Sequence, residues 1–190
     1  MRILIAGLIG GVVMFIWATI AHVATPLASA GLKQMPSEAA TISTLHATLG
    51  DSPGLYFFPA ATGTDSKAMK DQQAKMQLGP SGLLAYRPPG SAGVSPRQLV
   101  VEFALEVVES LLAALVISAM AGVPRRLGVA AAIGLVAAVS TNFSYWNWYG
   151  FSWDYTLANA FTELMKYVLA GAAITAFLAW RGRRAPPVAG

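Results

Sequence analysis

The chain has 190 residues, 55% of them hydrophobic and only 12% charged, with a mean hydropathy of +0.55, which is too apolar for a soluble domain of this size. Its formal charge of +4 does not point to nucleic acid, because Arg2, Arg125, Arg126, Arg181, Arg183 and Arg184 lie in short segments beside apolar stretches, where they act as membrane-orientation charge. Cysteine is absent, which excludes a disulfide framework, a thiolate nucleophile and any Cys-ligated metal.

A membrane-spanning helix needs about 20 mainly apolar residues, since the hydrocarbon core is about 30 Å thick and the helix rises about 1.5 Å per residue. Residues 3–24 satisfy this. Met1-Arg2 and Ala28-Ser29-Ala30 would also suit a secretory signal, but the apolar run exceeds the roughly 7 to 15 residues of a signal core, so an uncleaved helix is expected. Gly7 and Gly11 form a GxxxG pair, and Ala6 and Gly10 repeat it one step round. Such small residues suit close helix contact or a homodimer face.

Residues 25–95 read as a small α+β insert. Ser37 is placed to cap a helix through Leu49, with Gly50 as its stop, and Asp65 or Ser66 to start another ending near Gly79. Gly54-Leu55-Tyr56-Phe57-Phe58 and Leu83-Leu84-Ala85-Tyr86 read as two strands. A two-stranded sheet alone is marginal in water, so the insert is expected to lean on the helices.

Ser95-Pro96-Arg97-Gln98 supplies an N-cap, a first-turn proline and a capping-box glutamine, so a second spanning helix is expected over residues 96–121. Five residues later a third follows over 127–145, with Ala130, Gly134 and Ala138 on one face. Residues 146–156 form an aromatic turn, a fourth helix runs over 157–180, and 181–190 is a tail. With four crossings Arg2, the Arg125-Arg126 pair and the arginine tail share one side, the cytoplasm. The expected fold is an all-α membrane protein, a four-transmembrane-helix bundle with a small α+β extracytoplasmic insert between helices 1 and 2 and both termini cytoplasmic.

Residues 145–155 hold seven aromatics. At a membrane boundary these form an interfacial belt, or else a floor for a ligand or for the insert, with Trp146, Trp148 and Trp153 as surfaces and Asn147 and Asp154 as polar contacts. The Tyr-Trp-Asn-Trp-Tyr-Gly-Phe run at 145–151, the Gly-Leu-Tyr-Phe-Phe-Pro run at 54–59 and the first helix together resemble a set of bacterial inner-membrane proteins of similar length with no assigned activity. The resemblance implies a bacterial inner-membrane location and the same topology, and carries no chemistry.

Glu102, Glu106 and Glu109, followed by Ser110, share one face of the second helix. Asn159, Glu163 and Lys166 repeat that spacing on the fourth, and Asn142 and His22 lie in the same outer half. A charge at the centre of a spanning helix costs about 2.5–3.5 kcal/mol, so these groups should face the interior and pair. Glu109 is the first expected partner of Lys166, with Glu163 its competitor. The cluster suits a network that fixes helix register, a proton or cation path, or a polar-ligand pocket opening outward. A metal site at His22, Glu102 and Glu106 would need matching depth, facing and a further ligand.

No HExxH, GxSxG, P-loop or GxGxxG motif is present, and no catalytic residue, metal or cofactor is assigned. The expected function is that of a non-catalytic accessory or ligand- or partner-binding component. Its partners are the lipid bilayer and a protein partner or second copy at the small-residue helix faces, not nucleic acid. Alternatives are a proton or cation transporter, and an enzyme on a lipid-linked substrate with Glu106 or Glu163 as general base.

Overall fold

The structure is a computed structural model and describes residues 1–90 and 93–183. Arg184 and the rest of the expected tail lie outside the described residues, as do Ser91 and Ala92. The chain is mostly helical and divides into two compact units, Met1–Leu32 with Val94–Gly190, and Lys33–Gly93.

Helix α1 spans Arg2–Val23, an apolar run free of proline. It stops where Pro26 could not continue it, and Thr25 bridges the exit by donating to Ala21 O at 2.6 Å and accepting from Leu27 N at 3.2 Å. The short 3₁₀ turn Pro26–Ser29 that follows packs on the last long helix. Residues 25–32 therefore belong with the helical unit, and the insert begins at Lys33 rather than at residue 25.

Within the insert unit, α2 (Glu38–Leu49) and α3 (Ser66–Leu78) each precede one strand of an antiparallel pair, β1 (Gly54–Phe58) and β2 (Gly82–Tyr86). The register sets Gly54 opposite Tyr86 and Phe58 opposite Gly82. Tyr86 Oη donates to Gly50 O at 2.8 Å and Gln72 Nε2 to Pro59 O at 2.9 Å, so helix ends and side chains brace a ladder too short to stand alone. Ser37 departs from its expected role. It sits at φ 53 with no side-chain cap bond, and Glu38, an acid at the positive end of the helix dipole, opens α2 instead. Asp65 does cap α3: its Oδ1 accepts from Lys67 N and Ala68 N, both at 2.9 Å. Asp65→Ala is expected to cost about 1 kcal/mol, read as faster hydrogen exchange at the first-turn amides of α3 with the spanning helices unaffected.

Helix α4 (Pro96–Ser118) opens on the expected capping box: Ser95 Oγ accepts from Gln98 N at 3.3 Å while Gln98 Oε1 accepts from Ser95 N at 2.9 Å. Arg126 Nε closes the next turn by donating to Met120 O at 3.0 Å, satisfying a carbonyl just past the end of α4. Helix α5 (Val123–Ala138) starts four residues earlier than the expected 127, because Pro124 fits a first helical turn. It continues through a π turn, Val139–Phe143, into α6 (Ser144–Tyr149). Gly150, at φ 70, ends that helix. The expected 146–156 turn therefore shrinks to residues 150–152, with Trp146 and Trp148 helical and Trp153 already opening α7 (Trp153–Arg183).

Arg2–Val23, Val123–Tyr149 and Trp153–Arg183 are long and apolar enough to cross a membrane. Helix α4 has comparable length but carries Glu102, Glu106 and Glu109. On α1 the exposed residues Leu4, Leu8, Val12, Ile16 and Ile20 recur every fourth position. Such a row on a helix suits lipid rather than water.

The opposite face of α1 is buried. A Cβ at Gly11 would meet the Val107 backbone at 2.8 Å, and one at Gly7 the Leu111 Cα at 2.9 Å, so α1 and α4 touch nearly backbone to backbone. Ala130 and Gly134 make the equivalent contact with α7, against Gly171 and Leu164. These small-residue faces are thus occupied within the chain. Ala114, Ile117 and Ile174 fill the centre.

Candidate functional site

Lys166 is the hub of the helical unit. Its side chain is 8% exposed, and Nζ lies 3.0 Å from Glu109 Oε2, 3.1 Å from Glu163 Oε2 and 3.5 Å from Glu106 Oε1. The expected pairing with Glu109 is present, and the expected competitor Glu163 is engaged as well. Two of the carboxylates come from α4 and one from the preceding turn of α7, so the ammonium ties the two helices together. Glu106 is 2% exposed, whereas Glu109 and Glu163 are about one-third exposed. Tyr167 Oη donates to Glu109 Oε2 at 3.0 Å, and the Tyr167 ring lies 5.6 Å from Lys166 Nζ.

The exposed side of this cluster opens on a cavity of about 310 Å³. Glu109 enters from α4, Asn142 and Thr141 from the π turn, and Asn159, Glu163 and Lys166 from α7. The π turn sets this wall. Asn142 is 7% exposed and its Nδ2 donates to Ala138 O at 3.0 Å, so a side chain fills a place where the regular backbone ladder is interrupted. On α7 Asn159 Nδ2 likewise donates to a carbonyl one turn back, Tyr155 O, at 2.9 Å, within a regular helix.

Asn159 also borders a second cavity, of about 260 Å³, walled by His22, Leu27, Leu32 and Tyr155. Here His22 donates from Nδ1 to Ala18 O at 2.8 Å, a contact within its own helix. Elsewhere in the helical unit Glu106 Oε2, Ser110 Oγ and Thr175 Oγ1 are buried with no hydrogen-bond partner.

Several expected site residues lie apart from the cluster. Glu102 is exposed, with no ion pair among the described residues, because only Glu106 and Glu109 of the acidic series turn toward α7. Asn147 and Asp154 are exposed, and neither side chain makes a hydrogen bond among the described residues. The aromatic residues fold on one another: the Trp146 and Trp153 rings are 4.4 Å apart between centroids, and Phe151 meets Tyr145 at 5.4 Å and Tyr155 at 5.1 Å. Trp148 is 74% exposed. Among the described residues no group of three His, Asp or Glu side chains is placed to hold a metal ion.

Ala137, Thr141 and Tyr167 are the cavity residues that sequence reasoning missed. Tyr167 had a signal, since Asn159, Glu163 and Tyr167 follow one another at spacings of four.

No protein-family model, curated protein or solved structure matches the chain. The chemistry of the site rests on its own geometry.

Proposed function

We propose that the protein is a non-catalytic, ligand-binding component of a membrane, with the cavity beside Lys166 as its binding site. One observation carries this reading: the ion cluster is not sealed, and two of its three carboxylates face a polar cavity built by three helices. A network serving only to fix helix register would be expected to close over all its charges, since each one left unpaired in hydrocarbon is costly. The test is direct. Full-length protein in lipid nanodiscs is examined by native mass spectrometry for a retained small molecule or a co-purifying partner; if neither is found and no added ligand binds, the reading fails.

This function goes with a four-span bundle in a bacterial inner membrane, with the Lys33–Gly93 unit outside and both termini in the cytoplasm. Helix α4, at 23 residues, is about 35 Å long and reaches across a core of about 30 Å. Two of its glutamates are neutralised in part by Lys166, and the short basic segments fall on one side. Because the chain has no cysteine, single introduced cysteines report topology cleanly. Thr64→Cys is expected to react with a membrane-impermeant maleimide added outside intact spheroplasts, and Ala121→Cys only after the membrane is opened. The reverse pattern, or equal labelling of both, would overturn the arrangement.

A second reading, translocation of protons or small cations, is favoured by the buried, unpartnered Glu106 Oε2, Ser110 Oγ and Thr175 Oγ1 of the same helical unit. It requires ion flux in proteoliposomes that Glu109→Gln abolishes; flux unchanged by that substitution would reject it.

A further inference from the structure

We propose that the cavity beside Lys166 takes a small organic ammonium ion that carries N–H donors, a primary or secondary alkylamine in its protonated form. This names the ligand class of the binding site above and rests on that reading.

Charge gives the sign of the ligand. Three carboxylates converge on one ammonium, so the cluster holds two more acidic groups than basic ones, and the two carboxylates with exposure left are those facing the cavity. An anion entering there would meet them at close range without a free cation to receive it.

Hydrogen bonding gives the chemistry. A backbone carbonyl can only accept, so the Asn142 group that meets Ala138 O and the Asn159 group that meets Tyr155 O are both NH₂ groups. Their orientation is thereby fixed. Each amide keeps one N–H and its carbonyl oxygen, and neither oxygen has a partner among the described residues. Asn142 is more than nine-tenths buried, and it lines the cavity. Its oxygen is free to accept from a donor-bearing ligand. Of the donors nearby, Lys166 is committed to the carboxylates and the Tyr167 hydroxyl to Glu109, which leaves the neutral Thr141 hydroxyl and one N–H of each amide. The charged groups of the cavity with hydrogen-bonding capacity left are therefore acceptors, the Glu109 and Glu163 carboxylates, and the two amide oxygens add to them.

Size and shape separate an organic ammonium from a bare metal ion. The volume, about 310 Å³, equals on the order of ten waters at about 30 Å³ each, far more than one dehydrated cation fills. The carboxylates also converge on Lys166 Nζ rather than on an open point, and no metal-ligand group exists among the described residues. Ala137 and the Tyr167 ring supply an apolar wall for the alkyl part. The ring face already lies beside one ammonium and suits a second.

The experiment uses full-length protein in nanodiscs, titrated with propylammonium, tetramethylammonium and sodium as chlorides and followed by calorimetry. Propylammonium is expected to bind saturably, and tetramethylammonium, which has the charge but no N–H, at least tenfold more weakly. Glu163→Gln and Asn142→Leu should each weaken propylammonium at least tenfold. Glu163 is one-third exposed, so its glutamine variant tests the site even if Asn142→Leu fails to fold. Equal binding of tetramethylammonium, or binding of sodium alone, overturns the proposal. So does propylammonium binding that ignores both substitutions. Binding of a neutral or anionic ligand, sensitive to Asn142→Leu, would overturn the ammonium assignment while leaving the binding function intact. Absence of any ligand and any partner would remove both.

Discussion

Replacing Lys166 with methionine is expected to destabilise the helical unit by about 3–5 kcal/mol, the cost of removing one partner from a buried ion pair. The reason lies in what remains. Glu106 is 2% exposed, with one oxygen on Lys166 and the other without a partner, so the single change leaves a buried carboxylate with no counter-charge. Glu109 and Glu163 lose the same cation but keep solvent access, and Glu109 keeps the Tyr167 hydroxyl. The double variant Lys166→Met with Glu106→Gln is therefore expected to be more stable than Lys166→Met alone, a sign reversal that simple loss of packing would not give. Thermal unfolding in detergent reads the comparison. Glu102→Gln serves as the control: that carboxylate is exposed and outside the cluster, so its removal should stay within about 0.5 kcal/mol. A Lys166→Met protein as stable as its parent would show that the cluster does not hold α4 to α7.

The parts of this site that local chemistry dictates were legible in the sequence. Ser95 with Gln98 and Asp65 alone announced two helix starts, because a side-chain oxygen at that spacing has an amide to accept from whatever the tertiary fold. The Glu and Lys residues were found because charge in an apolar run is costly enough to demand a partner. Other parts depend on packing and left no mark. Glu102, Glu106 and Glu109 share a helical face by spacing, yet only two reach Lys166, since the rotation of α4 is set by its glycine contact with α1. The π turn at Val139–Phe143 has no sequence signature, although it aims Asn142 into the cavity. Ser37 misled because a capping residue type does not guarantee capping geometry, and here its backbone is left-handed. The aromatic run misled about length: Gly150, not the rings, ends the helix.

Enlarging Gly134 is expected to damage the cavity, because it separates the two helices that carry most of it. A Cβ at Gly134 would lie 3.0 Å from Leu164 O and 3.0 Å from Tyr167 Cβ. The oxygen is backbone and cannot rotate aside, so α5 must move away from α7. That movement draws Asn142 and Thr141 on one side from Asn159, Glu163 and Tyr167 on the other. Gly134→Leu is accordingly expected to cost at least the roughly 1–3 kcal/mol of overpacking a filled interior, and to weaken ligand binding although residue 134 does not line the cavity. Gly128 provides the control on the same helix. A Cβ there meets nothing within 4 Å, and leucine is a better helix former than glycine by nearly 1 kcal/mol, so Gly128→Leu should leave the unfolding temperature unchanged or raise it. Opposite shifts from the same substitution six residues apart would locate the close contact on one face of α5. If both variants instead melt with the parent and bind as it does, α5 and α7 are not held at backbone distance, and the cavity between them cannot be the ligand site.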